Sequence, residues 1–226
     1  MIILDIETKN LEPIGNGIHF GNPANWRTSC ACVLEVVGPT PQHIDAHVFV
    51  EKEMVAELQE QGIVCKSFEH LSDYLNNCLE DELPLLTHNG SDFDLPILMK
   101  DIADGGASCH EVLHSYETLG LHIDTAADLS HKTGKRFHLQ DLIKGVLGPS
   151  ATKMMNAADA PIEWHNENYE AVLNYCLSDC LLTYQMFYIA ADEGVLEAVP
   201  SKEKNEERVL VEDWATWLKL SARTFK

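Results

Sequence analysis

The sequence predicts an α/β fold in which a mixed sheet of five strands is flanked by helices. Three observations predict it. The chain opens on an apolar run, "MIILDIET", that reads as a strand. Two more strand-like runs follow, "CACVLEVV" at 30–37 and "IDAHVFV" at 44–50, divided by the turn residues of "GPTPQ". From residue 67 onward helical patterns alternate with short strands, and that succession fits a layered α/β domain. With 226 residues, 45% of them hydrophobic, the chain is long enough to bury a full core.

Each element has its own warrant. Residues 9–28 carry Pro13, Gly15, Gly17, Gly21 and Pro23 and read as a long loop between the first two strands. In "SFEHLSDYLNNCLE" (67–80), Phe68, Leu71, Leu75, Cys78 and Leu79 fall at helical spacing, with Ser67 placed to cap. "PLLTHN" (84–89) reads as a short strand and about 92–103 as a helix. "LHIDTAADL" (121–129) reads as a short strand running into a helix. Helices are expected over 138–147 and, in one piece or two, over roughly 167–192. The tail is polar from Pro200 and then aromatic, "EDWATWLKL". The expected division is a domain at 1–192 and a tail at 193–226 that forms a helix packed on the same domain.

Composition narrows the function classes. No apolar run reaches the length of a membrane span, and no basic segment leads into a long apolar stretch at the N-terminus. The seven cysteines form no CxxC pair, and an odd count argues for a reducing compartment, so a cytoplasmic protein is expected. Most of them read as small buried hydrophobes, with a zinc site drawn from them as the alternative. A formal charge of −20 disfavours broad adhesion to nucleic acid or to an anionic membrane.

The chemistry-bearing residues are acidic. In a strand, Asp5 and Glu7 point to one face, where they repel each other. They are either solvated acids at a frayed terminus or ligands of a divalent cation, since buried charge needs a partner. In "HNGSDFDLPIL" (88–98) either aspartate could cap the helix that follows, and Asp94 in the first turn can reach toward the end of the preceding strand. In "NYCLSDCLLTY" (174–184), Tyr175 and Asp179 are four residues apart and share a helical face.

With "LDIET", "HNGSDFD" and "YCLSD" in this order, the chain resembles the DnaQ-like, or DEDD, 3′–5′ exonucleases of the ribonuclease H-like fold. Tyr175, four residues before the last aspartate, resembles the DEDDy branch. "HIDTAADL" and "FHLQDLIKGVLG" resemble the segments between the second and third motifs. The likeness spans about 1–192 and is greatest to stand-alone enzymes related to the proofreading domain of family B DNA polymerases.

The resemblance implies two magnesium or manganese ions about 4 Å apart on a phosphodiester. It implies that Asp5 bridges both ions, that Glu7 and Asp179 complete one site, and that Asp94 serves the other. It further implies that Tyr175 orients the attacking water and that Thr8 and Asn89 contact the terminal nucleotide. The expected activity is release of nucleoside 5′-monophosphates from single-stranded or frayed 3′ ends, DNA preferred. An exoribonuclease, and a non-catalytic module that binds nucleic acid or a replication partner, are the alternatives. A polymerase or other replication partner is expected to dock through the tail.

Two further stretches bear on this. "HKTGKRFH" (131–138) clusters Lys132, Lys135 and Arg136, either as a solvated loop or as a phosphate-contacting strip. "HEVLH" (110–114) matches the H-E-x-x-H pattern of zinc peptidases. The extended form of that pattern fails, because Glu117 and Gly120 stand where it needs glycine and histidine.

Overall fold

Strand β1 (Ile2–Thr8) runs through the middle of the sheet, and only Asp5 of its seven residues keeps appreciable contact with solvent. A strand covered on both faces needs apolar side chains pointing both ways, and the opening "MIIL" supplies them. The computed structural model describes residues 1–11, 22–37, 43–101, 109–199 and 206–221.

On one side β1 pairs antiparallel with β2 (Thr28–Val37), which pairs antiparallel with β3 (His43–Val50). On the other side it pairs parallel with β5 (Leu85–Thr87), and β5 pairs parallel with β6 (His122–Asp124). A further strand, β4 (Lys66–Ser67), lies parallel on the outer edge of β3. The mixed sheet therefore has six strands in the order β4-β3-β2-β1-β5-β6, not the expected five. Two residues are too few to leave any alternation in the sequence.

Helices cover both faces. Ile2, Leu4 and Ile6 face α2 (Glu69–Glu80), α3 (Asp94–Asp101) and α4 (His110–Thr118), packing among Leu71, Leu75, Leu98 and Leu113. Met1 and Ile3 face the opposite layer, built around α8 (Tyr169–Glu193). Alternation along β1 then sends Asp5 and Glu7 toward α8. Helix α8 is one unbroken element of 25 residues, ended by Gly194 in the left-handed region at φ 69°.

Several helix boundaries differ from the sequence expectation. Phe68, not Ser67, holds the N-cap position of α2, because Ser67 belongs to β4, with its hydroxyl 3.0 Å from His70 Nδ1. Helices α1 (Lys52–Glu60) and α7 (Ala160–His165) were not foreseen; the first is largely polar and the second has six residues. "HEVLH" forms the first turns of α4, where Val112 and Leu113 are buried while His110 and His114 are exposed with their rings 6.2 Å apart. Among the described residues these two histidines belong to no cluster of three metal-binding side chains.

Helices α5 (Thr125–Thr133) and α6 (Leu139–Leu147) lead toward the C-terminal segment. There, β7 (Val195–Ala198) and β8 (Glu207–Leu210) pair as a separate antiparallel ribbon before α9 (Trp214–Ser221). The tail is thus part strand and part helix. Trp214 is buried in the α8-side core, with its ring stacked on Phe187 at 5.0 Å. Among the described residues no helix is long and apolar enough to cross a membrane.

Candidate active site

Sheet and helix bring the acids of three distant segments to one cleft. Asp5 and Glu7 come from β1, Asp94 from the start of α3, and Tyr175 and Asp179 from consecutive turns of α8. One carboxylate oxygen from each of Asp5, Glu7 and Asp179 lies within 4.8 Å of the other two. Asp94 stands outside that trio and is tied to it through β1, where the Ile6 N–H donates to Asp94 Oδ1 at 3.1 Å. The position that could have been a plain helix cap is instead a strut between α3 and the central strand.

Burial raises the pKa of all four acids above the ordinary carboxylate range. For Asp5 burial is the largest cause, and the charges of Asp94 and Asp179 add to it. Glu7 is pushed up by burial and then by Asp5. Asp94 is pushed up to about 7 by burial, against the pull of the Ile6 N–H. Asp179 also rises through burial, with Lys153 opposing. Acids so placed resist ionising until a cation joins them.

Lys153 is the cation the chain itself supplies. Its ammonium pairs with Asp179 Oδ2 and stands 4.9 Å from the centre of the Tyr175 ring. Burial works against its charge, yet Asp179, Asp5 and Glu7 together hold its pKa above the usual lysine value. The loop carrying it is clamped by Gln140 of α6, which accepts from Lys153 N at 2.8 Å and donates to Ala151 O at 3.1 Å. Even so, Asp179 Oδ1 and the Tyr175 hydroxyl are buried with no hydrogen-bond partner among the described residues. Buried orphans of this kind cost stability unless something else meets them.

An all-oxygen donor set with an unsatisfied carboxylate oxygen and a raised acid cluster fits hard divalent cations such as magnesium or manganese. Thiolate-seeking ions have a different neighbourhood. Cys30, Cys32 and Cys176 bring their sulfurs within 4.8 Å of one another behind the acids, all buried. Cys32 is the cross-strand partner of Asp5 and Cys30 that of Glu7, while Cys176 Sγ donates to Asp5 O at 3.4 Å. These thiols act as small packing groups that seat β1 on α8.

The turn that delivers Asp94 is held by a residue not assigned a role from the sequence. Asp124 accepts from the backbone N–H groups of Asn89 (2.8 Å), Ser91 (2.9 Å), Ala126 (2.9 Å) and Ala127 (3.2 Å). It caps α5 and fixes the loop before α3 at once. Asn89 sits there at φ 68°, and its side-chain oxygen accepts from Arg136 Nη2 at 2.8 Å. Gly90 is required beside it, since a Cβ there would lie 2.4 Å from Thr87 Oγ1.

The remaining expected substrate contacts divide. Asn89 and Arg136 line the cleft, together with His88, whose pKa is lowered to about 4 by burial, so that it is neutral near pH 7. Thr8 is buried at the end of β1, where the ladder to β2 shifts register, and does not line the cleft. Lys132 and Lys135 do not line it either. Lys132 bridges Asp128 and Asp213 at 2.6 and 2.9 Å, and Lys135 pairs with Glu207 of β8. Both lysines tie the C-terminal segment to α5 and the loop after it, and of the three basic residues of that stretch Arg136 lines the cleft.

The sequence reading missed Lys153, Gln140 and Asp124. An aspartate immediately before a helix is a capping signal, so Asp124 could have been found. Lys153 lies in "GPSATKMMNAAD", which has no periodicity, and nothing local marks it. No family model matches the chain, and no curated protein matches it.

Proposed function

We propose that the chain is a metal-dependent 3′–5′ exonuclease of the ribonuclease H-like fold that releases nucleoside 5′-monophosphates from free 3′ ends. One observation carries the reading: four carboxylates and a tyrosine, scattered over 175 residues of sequence, converge on one cleft with a buried oxygen left unpaired. The mixed sheet, with three antiparallel strands followed by parallel ones, is compatible with the fold that the motifs imply.

Asp5, Glu7, Asp94 and Asp179 would hold the ions. A pair of magnesium or manganese ions, when bound, supplies Lewis acidity to the phosphodiester and lowers the pKa of water. The protein's own groups do the positioning. Tyr175 stays protonated, because burial and the nearby Glu7, Asp179 and Asp5 all push its pKa up. Its hydroxyl therefore donates or accepts a hydrogen bond to orient a water and does not serve as a base. Lys153 balances Asp179 while the acids lack ions, and beside a bound phosphate it offers the same charge to a non-bridging oxygen. Asn89, held by Arg136, faces the position of a terminal nucleotide.

The test is digestion of a 3′-labelled single strand with manganese. Mononucleotide is expected, EDTA is expected to stop its release, and a circular single strand should survive. Rapid cleavage of the circle would reject the polarity, and matched DNA and RNA strands would decide the sugar.

A further inference from the structure

We propose that the cleft acts on single-stranded oligonucleotides of a few residues and has little preference for long strands. This rests on the exonuclease reading and names the substrate class of that site. The warrant is electrostatic. Six carboxylates line the cleft, the four acids of the site together with Asp159 and Glu163, against two permanent cations, Lys153 and Arg136. Two bound divalent ions would bring that lining only to formal neutrality. A long polyanion therefore meets no positive field at the mouth.

Beyond the cleft the balance is worse. The chain carries 36 acids and 16 lysines and arginines. Of the basic loop next to the site, Lys132 and Lys135 are already committed to Asp128, Asp213 and Glu207, so they offer no track along which a strand could continue. Proteins that grip long single strands join a basic groove to stacking aromatics. Here the apolar half of that pairing is present, and of the basic half the cleft lining supplies only Lys153 and Arg136. Phe93, Met154 and Ile162 line the cleft, the last two with 67% and 42% of their surface exposed, an apolar wall for one or two bases. The cleft volume of about 930 Å³ is at the upper end for a small-ligand site and has room for a few nucleotides.

Affinity built on stacking and two cations has a measurable signature. Each phosphate neutralised on a single strand contributes about −0.7 to the slope of log affinity against log salt. Two cations then give a slope of about −1.4, which is roughly a sevenfold fall from 50 to 200 mM salt. A strand tracked over about eight phosphates would give a slope near −5.6 and lose more than about a thousandfold.

The experiment compares kcat/KM for a trinucleotide and for a single strand of about two dozen residues, across that salt range at fixed manganese. The proposal expects values per 3′ end within about threefold of each other, with the same shallow slope for both. A long strand favoured by about tenfold or more, with a steep slope, would overturn the substrate class while leaving the exonuclease reading standing. Mononucleotide release from neither strand would overturn both.

Discussion

Tyr175 and Asp179 lie one helical turn apart on α8, and their contributions separate. Tyr175→Phe keeps the ring that packs under Lys153 and removes only the buried hydroxyl. Loss of one positioned polar contact of this kind costs about 10²-fold to 10³-fold in rate. The loss should fall on kcat with KM little changed, as for an interaction made mainly in the transition state. Single-turnover cleavage at saturating manganese measures it, and wild-type rates in the variant would reduce the tyrosine to packing. Lys153→Met probes the opposite property. Without its ammonium the ion-free acids lose their internal counter-charge, so melting temperature in EDTA should fall. The manganese-induced rise should become larger than in wild type, because the ions no longer displace a resident cation. An unchanged rise would show that Lys153 does not compete for the acids. The five residues of the motifs were legible because each belongs to a recognisable strand or helix. Lys153 was not, because an irregular loop encodes no direction and its partner lies 26 residues on.

Helix α6 and the ribbon β7–β8 meet at a glycine. A Cβ on Gly145 would stand 2.0 Å from the carbonyl oxygen of Glu197, so α6 and β7 approach as closely as backbone allows. Alanine inside a helix gains about 1 kcal/mol over glycine from propensity alone. Overpacking a fixed contact costs about 1–3 kcal/mol, and here the obstacle is backbone that cannot rotate away. Gly145→Ala is therefore expected to lower the melting temperature, and a rise would mean that the ribbon does not lean on α6. In sequence the tail reads as a helix because "EDWATWLKL" announces one, while β7 and β8 are four residues each and, among the described residues, pair only with one another. The same limit hides the partners of the basic stretch. Lys132 finds Asp213 across 81 residues and Lys135 finds Glu207 across 72, separations at which local reading sees a charge and not its partner. The central strand needed no such help, since "MIIL" followed by two acids states both its burial and the face that carries the site.

At the scale of the whole molecule, acids that are costly to ionise couple stability to pH, and the sign follows from the direction of their shifts. Asp5, Glu7, Asp94 and Asp179 all have folded pKa values above their ordinary ones, so the folded protein binds their protons more tightly than the unfolded chain does. The resulting stability is fully present below the ordinary carboxylate pKa and is lost as pH rises through the folded values, which for Asp94 means near 7. His88 acts in the other direction: its folded pKa is depressed, so its contribution is present above the ordinary histidine value and is lost as pH falls toward about 4. A melting curve of the ion-free protein alone would therefore mix opposing terms. The difference between melting temperatures with manganese and with EDTA removes every group that the ions leave untouched. Ion binding needs the carboxylates deprotonated, so it releases protons and strengthens with pH while the ion-free state weakens. The difference is expected to widen from pH 5.5 to pH 8, and its slope should ease once pH passes the value of about 7 held by Asp94, above which that group has no proton left to release. Asp5→Ala should flatten that curve, because it removes one of the carboxylates that would hold the ions together with one of the protons released. A wild-type difference that stays constant over the whole range would show that manganese does not bind to these acids, and the site would have to be assigned again.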